Sequence, residues 1–265
     1  MFKRLSLLYR EQIISNILIY NMCEVSSDIS NNNNQVLKNK KTLNILQKSF
    51  LNNSNIYEIG VDEAGRGPMF GRVYTAAVVL PYFENTKSEF DFSLMKDSKK
   101  FHSERKLEQA ANYIMEHAIA YDVQYAEAEE IDNSNILKVT IQTMTKAILN
   151  VINKLENISD IHLLIDGNYF KPIMRINNKG LSEIISYNCV EGGDNMYCSI
   201  AAASILAKHF RDKYILDLCE QEPELDEKYG LRKNKGYGTA KHMEGIKTHG
   251  ITQYHRKSFG ICKNF

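Results

Sequence analysis

The sequence is short of proline, of long apolar runs and of net charge, and each shortage excludes something. Four Pro in 265 residues cannot build a collagen-like or mucin-like chain. With 43% hydrophobic and 25% charged residues, the chain is not a fully disordered one either. The longest apolar run near the N-terminus, Ile17-Leu18-Ile19-Tyr20, is far too short for a membrane span or a signal-peptide core, so no membrane partner is expected. Five cysteines (Cys23, Cys189, Cys198, Cys219, Cys262) make an odd set with no CxxC pair. That excludes a disulfide framework and a zinc site, and points to a reducing, cytoplasmic compartment. An organellar location is the alternative: Lys3, Arg4 and Arg10 among apolar residues fit a transit peptide, although Glu11 and the scarcity of serine weigh against it. No internal repeat is present, and no histidine is placed as an obvious general base.

A formal net charge of +1 says little, but its distribution says more. Residues 228–265 carry nine Lys and Arg against one acid, Glu244, a local charge of +8, and the remainder carries −7. An acidic body with a basic C-terminal end suggests a polyanion partner at that end.

Residues 1–55 hold eleven Asn, including the run Asn31–Asn34. Such a polar, low-complexity stretch cannot bury enough apolar area to offset its chain entropy, so a flexible extension with a short helix over 5–20 is expected. A globular pattern begins at Ile56 and runs over 56–265. Residues 56–62 read as a buried strand ending at Asp62, and 73–81 as a second strand stopped by Pro81. Ser103 caps a helix with Leu107, Ala110, Ala111, Ile114, Met115 and Ala118 on one face. A weaker strand over 118–128 precedes a long helix opened by Ser134. Residues 161–167 and 184–190 read as short buried strands, 196–218 as an alanine-rich central helix and 239–248 as a last helix. Alternating strands and helices favour an α/β sheet with helices on its faces.

Three segments place a carboxylate where an apolar strand meets a small-residue turn: GVDEAGRGP, LLIDGN and EGGDNMYC. One such Asp is usually a turn former or helix cap. Three together repel one another and raise each other's pKa unless a cation neutralises them. Hard oxygen donors with no His or Cys nearby select Mg²⁺ or Mn²⁺ over zinc, and a pair of such ions suits phosphodiester hydrolysis. The adjacent pair Asp62-Glu63 adds a condition. Neighbouring side chains in a continuing strand point to opposite faces, so the strand must break there, and Gly65 and Gly67 supply the freedom.

The segments GVDEAGRGPMFG, MKDSKK, LLIDGN, GGDNMYCSIAAASILAK and NKGYGTAKH, in this order, resemble the ribonuclease HII family over roughly residues 56–260. The resemblance implies a ribonuclease H-like fold, a mixed five-stranded sheet flanked by helices, with a helical C-terminal part. It also implies an endoribonuclease that cleaves the RNA strand of RNA–DNA hybrids and incises duplex DNA at embedded ribonucleotides, leaving 3′-hydroxyl and 5′-phosphate ends. Carried over motif by motif, Asp62, Glu63, Asp166 and Asp194 are the expected catalytic metal ligands for Mn²⁺ or Mg²⁺, with two ions in the reacting complex. Gly65, Arg66 and Gly67 are expected to read the ribose 2′-hydroxyl through backbone contacts, Tyr237 to pack on the sugar at the RNA–DNA junction and Lys99 to contact a phosphate. Ser199 and Lys208 fall in a matching motif that helix packing or salt bridging explains equally well. The basic segment 228–263 would grip the duplex. A monomer is expected, with a replication-clamp contact left open. The chain departs from the family pattern in its N-terminal extension, in the Gly192-Gly193 preceding Asp194, and in Phe101-His102 after DSKK. Ribonuclease HIII, a sister family with the same fold, is the nearest rival, and a non-catalytic nucleic-acid binder is the rival of a different class.

Overall fold

Alternation along Tyr57–Ala64 (β1) sets the layers: Ile59 and Val61 lie on one face of the strand, Gly60 and Asp62 on the other. The computed structural model describes residues 45–53, 55–81, 90–155, 160–176 and 180–265. β1 pairs antiparallel with the fully buried β2 (Val73–Val79), which pairs antiparallel with β3 (Ala120–Ala126). On its other edge β1 runs parallel to β4 (Ile161–Asp166), and β4 parallel to β7 (Ser186–Val190). The result is the expected mixed five-stranded sheet, in the order β3-β2-β1-β4-β7. A separate two-stranded ribbon joins β5 (Met174–Ile176) to β6 (Ser182–Ile184).

Helix α1 (Glu104–His117) starts where expected: the Ser103 hydroxyl accepts the Lys106 N–H at 3.2 Å. A short α2 (Ala128–Asp132) precedes the long α3 (Ile136–Lys154). The cap of α3 is Asn135, not Ser134; its side chain accepts the Lys138 N–H at 2.9 Å. Met144, Ala147, Ile148 and Val151 of α3 cover the Ile59/Val61 face of the sheet, together with Leu163 and Ile165. The opposite face is covered by α1 and the alanine-rich α4 (Cys198–Gln221), whose Ala201, Ala202, Ile205 and Leu206 meet Ala76 and Val78. A Cβ on Gly60 would lie 2.1 Å from the Ser199 carbonyl carbon, so the missing side chain is what lets α4 rest directly on β1. Beyond α4, α5 (Glu224–Tyr229), α6 (Leu231–Asn234) and α7 (Ala240–His249) form the helical C-terminal part. Its own core contains Phe70, Ile215, Leu218, Tyr229, Leu231 and Ile246.

Two expectations need correction. β1 does not end at Asp62, because its pairing with β2 continues through Ala64. Residues 184–190 are not one strand: Ile185 turns aside to donate its N–H to the Ile173 carbonyl, separating β6 from β7. Residues 45–53 lie in one compact unit with the sheet. The expected helix over 5–20 and the Asn31–Asn34 run lie outside the described residues. Among the described residues, no helix is long and apolar enough to cross a membrane.

Gly60→Ala is expected to destabilise the protein by about 3 kcal/mol, because backbone cannot move aside as a flexible side chain does. Urea unfolding of the variant against the parent measures it, and an unchanged midpoint refutes the close contact.

Candidate active site

The strand ends bring the first carboxylates together. Pairing of β1 with β4 stops at Val61–Ile165, while pairing of β1 with β2 runs on to Ala64–Tyr74. The strand does not break at the Asp62-Glu63 pair, as expected, but loses its β4 neighbour there, and both residues line one groove. Asp166 ends β4 beside them. Asp194 arrives on a 3₁₀ turn, Gly193–Asn195, between β7 and α4. The turn is tied to the sheet because the Gly193 N–H donates to Asp166 Oδ1 at 2.7 Å. Gly192, with φ at +66°, makes the reversal that a bulkier residue would strain, which accounts for the Gly-Gly pair before Asp194.

Electrostatics confirm how close these groups are. Burial raises the pKa of Asp62 well above the ordinary Asp value, and Glu63 and Asp166 raise it further. Burial also raises Glu63; the Arg66 guanidinium, 3.2 Å from its carboxylate, opposes the shift. Asp194 is raised by burial, then by Asp97 and Asp166. Burial disfavours the Lys99 ammonium, but Asp194, Asp97, Asp62 and Asp166 outweigh it and hold its pKa above normal. Lys99 therefore faces the acidic cluster.

Asp97 was not singled out from the sequence. It is buried and caps the 3₁₀ turn Ser98–Lys100 through the Lys99 N–H at 2.8 Å. The Asn195 amide bridges it to Asp194, at 3.3 Å and 3.0 Å. The available signal was its place as the acid of DSKK. Ser204 was missed as well: it bonds Ser98 at 2.9 Å and lowers the pKa of Asp62 by hydrogen bonding. Lys208 is paired with Asp212 at 2.7 Å, and Ser199 supplies the backbone that rests on Gly60.

Across the groove lies the loop from Gly65 to Gly71. The fully buried Arg256 holds it from behind, donating to the carbonyls of Gly65, Arg66, Pro68 and Gly71 at 2.7–3.0 Å. Burial and the neighbouring Arg211 pull the pKa of Arg256 down to about 9. Arg211 donates to the carbonyls of Phe70 and Lys235. A Cβ on Gly65 would sit 2.1 Å from its Nε, so that glycine is required sterically as well as by its φ of +95°. The Tyr237 ring is 52% exposed and stands 3.6 Å from where a Cβ of Gly67 would be. Asp62, Glu63, Asp166, Gly65, Arg66, Gly67, Lys99 and Tyr237 thus line one groove, with Lys233 and Lys235 on its rim.

The basic C-terminal segment is not uniformly available. Arg256 is buried and Lys235 pairs with Glu104 at 2.8 Å, whereas Arg232, Lys233, Lys241, Lys247, Lys257 and Lys263 are exposed. The sequence could not separate the buried cation from the solvent-facing ones.

Residues 59–262 match the family described as Ribonuclease HII. The chain belongs to the ribonuclease HII family. A ribonuclease HII of Parabacteroides distasonis is 44% identical over 204 residues, 77% of this chain and 90% of that protein. The fold matches the ribonuclease H2 of Pyrococcus horikoshii OT3, with a TM-score of 0.60 and 21% identity over 78% of this chain and 95% of that one. It also matches Bst-RNase HIII solved in complex with Mn²⁺, with a TM-score of 0.58 and 18% identity over 92% and 78% of the two chains. Membership makes this ribonuclease HII a nuclease, a hydrolase of phosphodiester bonds, in a family that cleaves RNA in RNA–DNA hybrids. It also decides against ribonuclease HIII, which the shared fold alone does not.

Whether the acidic residues suit a divalent cation follows from their chemistry. The donors are all carboxylate oxygens, and the pKa values of Asp62, Glu63 and Asp194 are raised first by burial and then by neighbouring acids, a repulsion that a cation relieves. Among the described residues, no three such groups converge on a single point at ligating distance. The set is suited in kind, and open.

A raised native pKa means that the folded state holds the proton of Asp62 more tightly than the unfolded chain. That stabilisation is full below the ordinary Asp range and is lost as pH rises through the elevated native value. In EDTA, Asp62→Asn is therefore expected to be no more stable than the parent near pH 4 and more stable than it at pH 7.5. Melting curves across that range test it, and a stability difference that does not change with pH counts against the coupling.

Proposed function

We propose that this protein incises duplex DNA at embedded ribonucleotides, besides cleaving the RNA strand of hybrids, and leaves 3′-hydroxyl and 5′-phosphate ends. The observation that carries this reading is the single groove in which an acidic cluster faces a Gly-Arg-Gly loop and a half-exposed tyrosine. Asp62, Glu63, Asp166 and Asp194 would hold Mn²⁺ or Mg²⁺, and two ions are the arrangement suited to this reaction. Such cations supply activation of water and neutralisation of charge on the departing oxygen.

The remaining roles belong to the chain. Arg256 ties the loop carbonyls inward, so the backbone of Gly65-Arg66-Gly67 is held in one shape before substrate arrives. A preformed backbone bare of side chains at two positions suits close approach to a ribose 2′-hydroxyl, the group that distinguishes RNA from DNA. Tyr237, beside Gly67, would pack on the sugar at the RNA–DNA junction. Lys99, held positive by the acidic residues around it, would contact the phosphate. Residues 45–265 are the catalytic unit in this reading, and the Asn-rich stretch before them is accessory.

The deciding experiment is nicking of a DNA duplex that carries one ribonucleotide, in Mn²⁺ or Mg²⁺, with an all-DNA duplex as control. Asp62→Asn is expected to lower turnover about 10³-fold or more while leaving hybrid binding within a few fold, since grip comes mostly from cations on phosphate. Near-parental turnover would sink the assignment.

Tyr237→Phe is expected to keep most of the activity on the single-ribonucleotide duplex, and Tyr237→Ala to lose about tenfold or more there with little change in melting temperature. If the ring only packs the C-terminal part, Ala instead lowers the melting temperature and slows every hybrid alike. A stable Ala variant with parental rates removes Tyr237 from the site.

A further inference from the structure

The near side of the turn that carries Asp194 is held by the Gly193 N–H on Asp166 and the Asn195 amide on Asp97. It still presents a carboxylate to other carboxylates that repel it. The segment before β1 holds its far side. Gln47 brackets the far side of the turn with its backbone: its N–H donates to the Met196 carbonyl at 2.8 Å, and its carbonyl accepts the Cys198 N–H at 2.9 Å. The second bond also satisfies the first N–H of α4. Phe50 stacks on His162, at 5.7 Å between ring centroids, meets Tyr197 edge-on at 5.5 Å, and packs on the small core of Leu164, Tyr197 and Ile200 directly behind the turn.

One side chain fastens this strap to the sheet. The Glu58 carboxylate, on β1, accepts from the Ser49 hydroxyl at 2.8 Å, from the Phe50 N–H at 2.9 Å and from the Leu51 N–H at 2.7 Å. An acceptor of that capacity saturates three donors in a segment without helix or strand of its own. The family match begins at residue 59, just beyond it.

We propose that residues 45–53, fastened by Glu58, are a tether that positions the Asp194 turn, with Glu58 as a positioning residue acting through the strap. Its consequence for metal binding rests on the reading of Asp194 as a ligand; the tether itself does not.

The test uses the full chain with Glu58→Ala, Glu58→Gln and, for comparison, Asp194→Asn. Amide hydrogen exchange is followed at residues 195–198 and at the centre of β1 and β2, and Mn²⁺ is titrated both calorimetrically and in the cleavage assay. Glu58→Ala is expected to speed exchange at 195–198 at least tenfold while β1 and β2 keep their protection. It should also raise the half-saturating Mn²⁺ about fivefold, with kcat at saturating Mn²⁺ within twofold of the parent. Glu58→Gln, which keeps one acceptor oxygen, should fall between. Unchanged exchange at the turn overturns the tether, and so does equal acceleration across β1, β2 and the turn, which marks general destabilisation. A loosened turn with an unchanged Mn²⁺ requirement, while Asp194→Asn shifts that requirement, overturns the positioning role. If Asp194→Asn leaves Mn²⁺ binding unaltered, the ligand reading of Asp194 fails, and the exchange data still decide the tether.

Discussion

Carboxylates crowded into one place repel, and much of this architecture is the means of holding them there. Two arrive because the parallel pairing of β1 with β4 ends at Val61 and Ile165, just before Asp62 and Asp166. Glu63 follows on β1, which keeps its pairing with β2, and lines the same groove. Asp194 is brought in by a turn whose Gly193 amide is hooked to Asp166. The sheet, with α3 on one face and α1 and α4 on the other, is stiff enough to bear the strain because each layer is close-packed hydrocarbon. Burial and like charge together push Asp62, Glu63 and Asp194 toward their protonated forms, so the fold stores an electrostatic demand for a cation.

The opposite wall of the groove solves a different problem with positive charge turned inward. Arg256 and Arg211 sit behind the Gly65–Gly71 loop and have main-chain carbonyls for partners rather than carboxylates. Two buried guanidinium groups without a paired acid are costly: burial lowers the pKa of both, and the neighbouring Arg211 lowers that of Arg256 further. That cost is borne directly beneath a surface suited to a polyanion. Of the C-terminal basic residues, Arg256 alone is buried in this internal scaffold, and Lys233, Lys241, Lys247, Lys257 and Lys263 stay exposed.

The sheet and the long helices were legible because their signals are local. Short, largely apolar runs mark β1 and β2, and three-and-four spacing from Ser103 marks α1. The carboxylates were legible because acids at strand ends beside glycines are chemically out of place unless used. What failed depends on distance along the chain. Nothing near Asp62 shows that β1 keeps one neighbour and loses the other, and nothing near Ile185 shows that it bonds Ile173. Residues 45–53 read as part of a polar extension because their order comes from Glu58 and Tyr197, outside the segment. Asp97 and Arg256 escaped for the same reason, since only the folded chain puts one beside Asp194 and the other behind Gly65.

The partners of Arg256 have a consequence for how this protein tolerates change. Main-chain carbonyls are present whatever side chains a loop carries, so neighbouring positions can drift in sequence without losing the contact. The burden of variation therefore falls unequally. Many substitutions around the loop leave its shape intact, whereas no shorter or monodentate cation at position 256 reaches four acceptors at once. Robustness in the many is bought with fragility at the one.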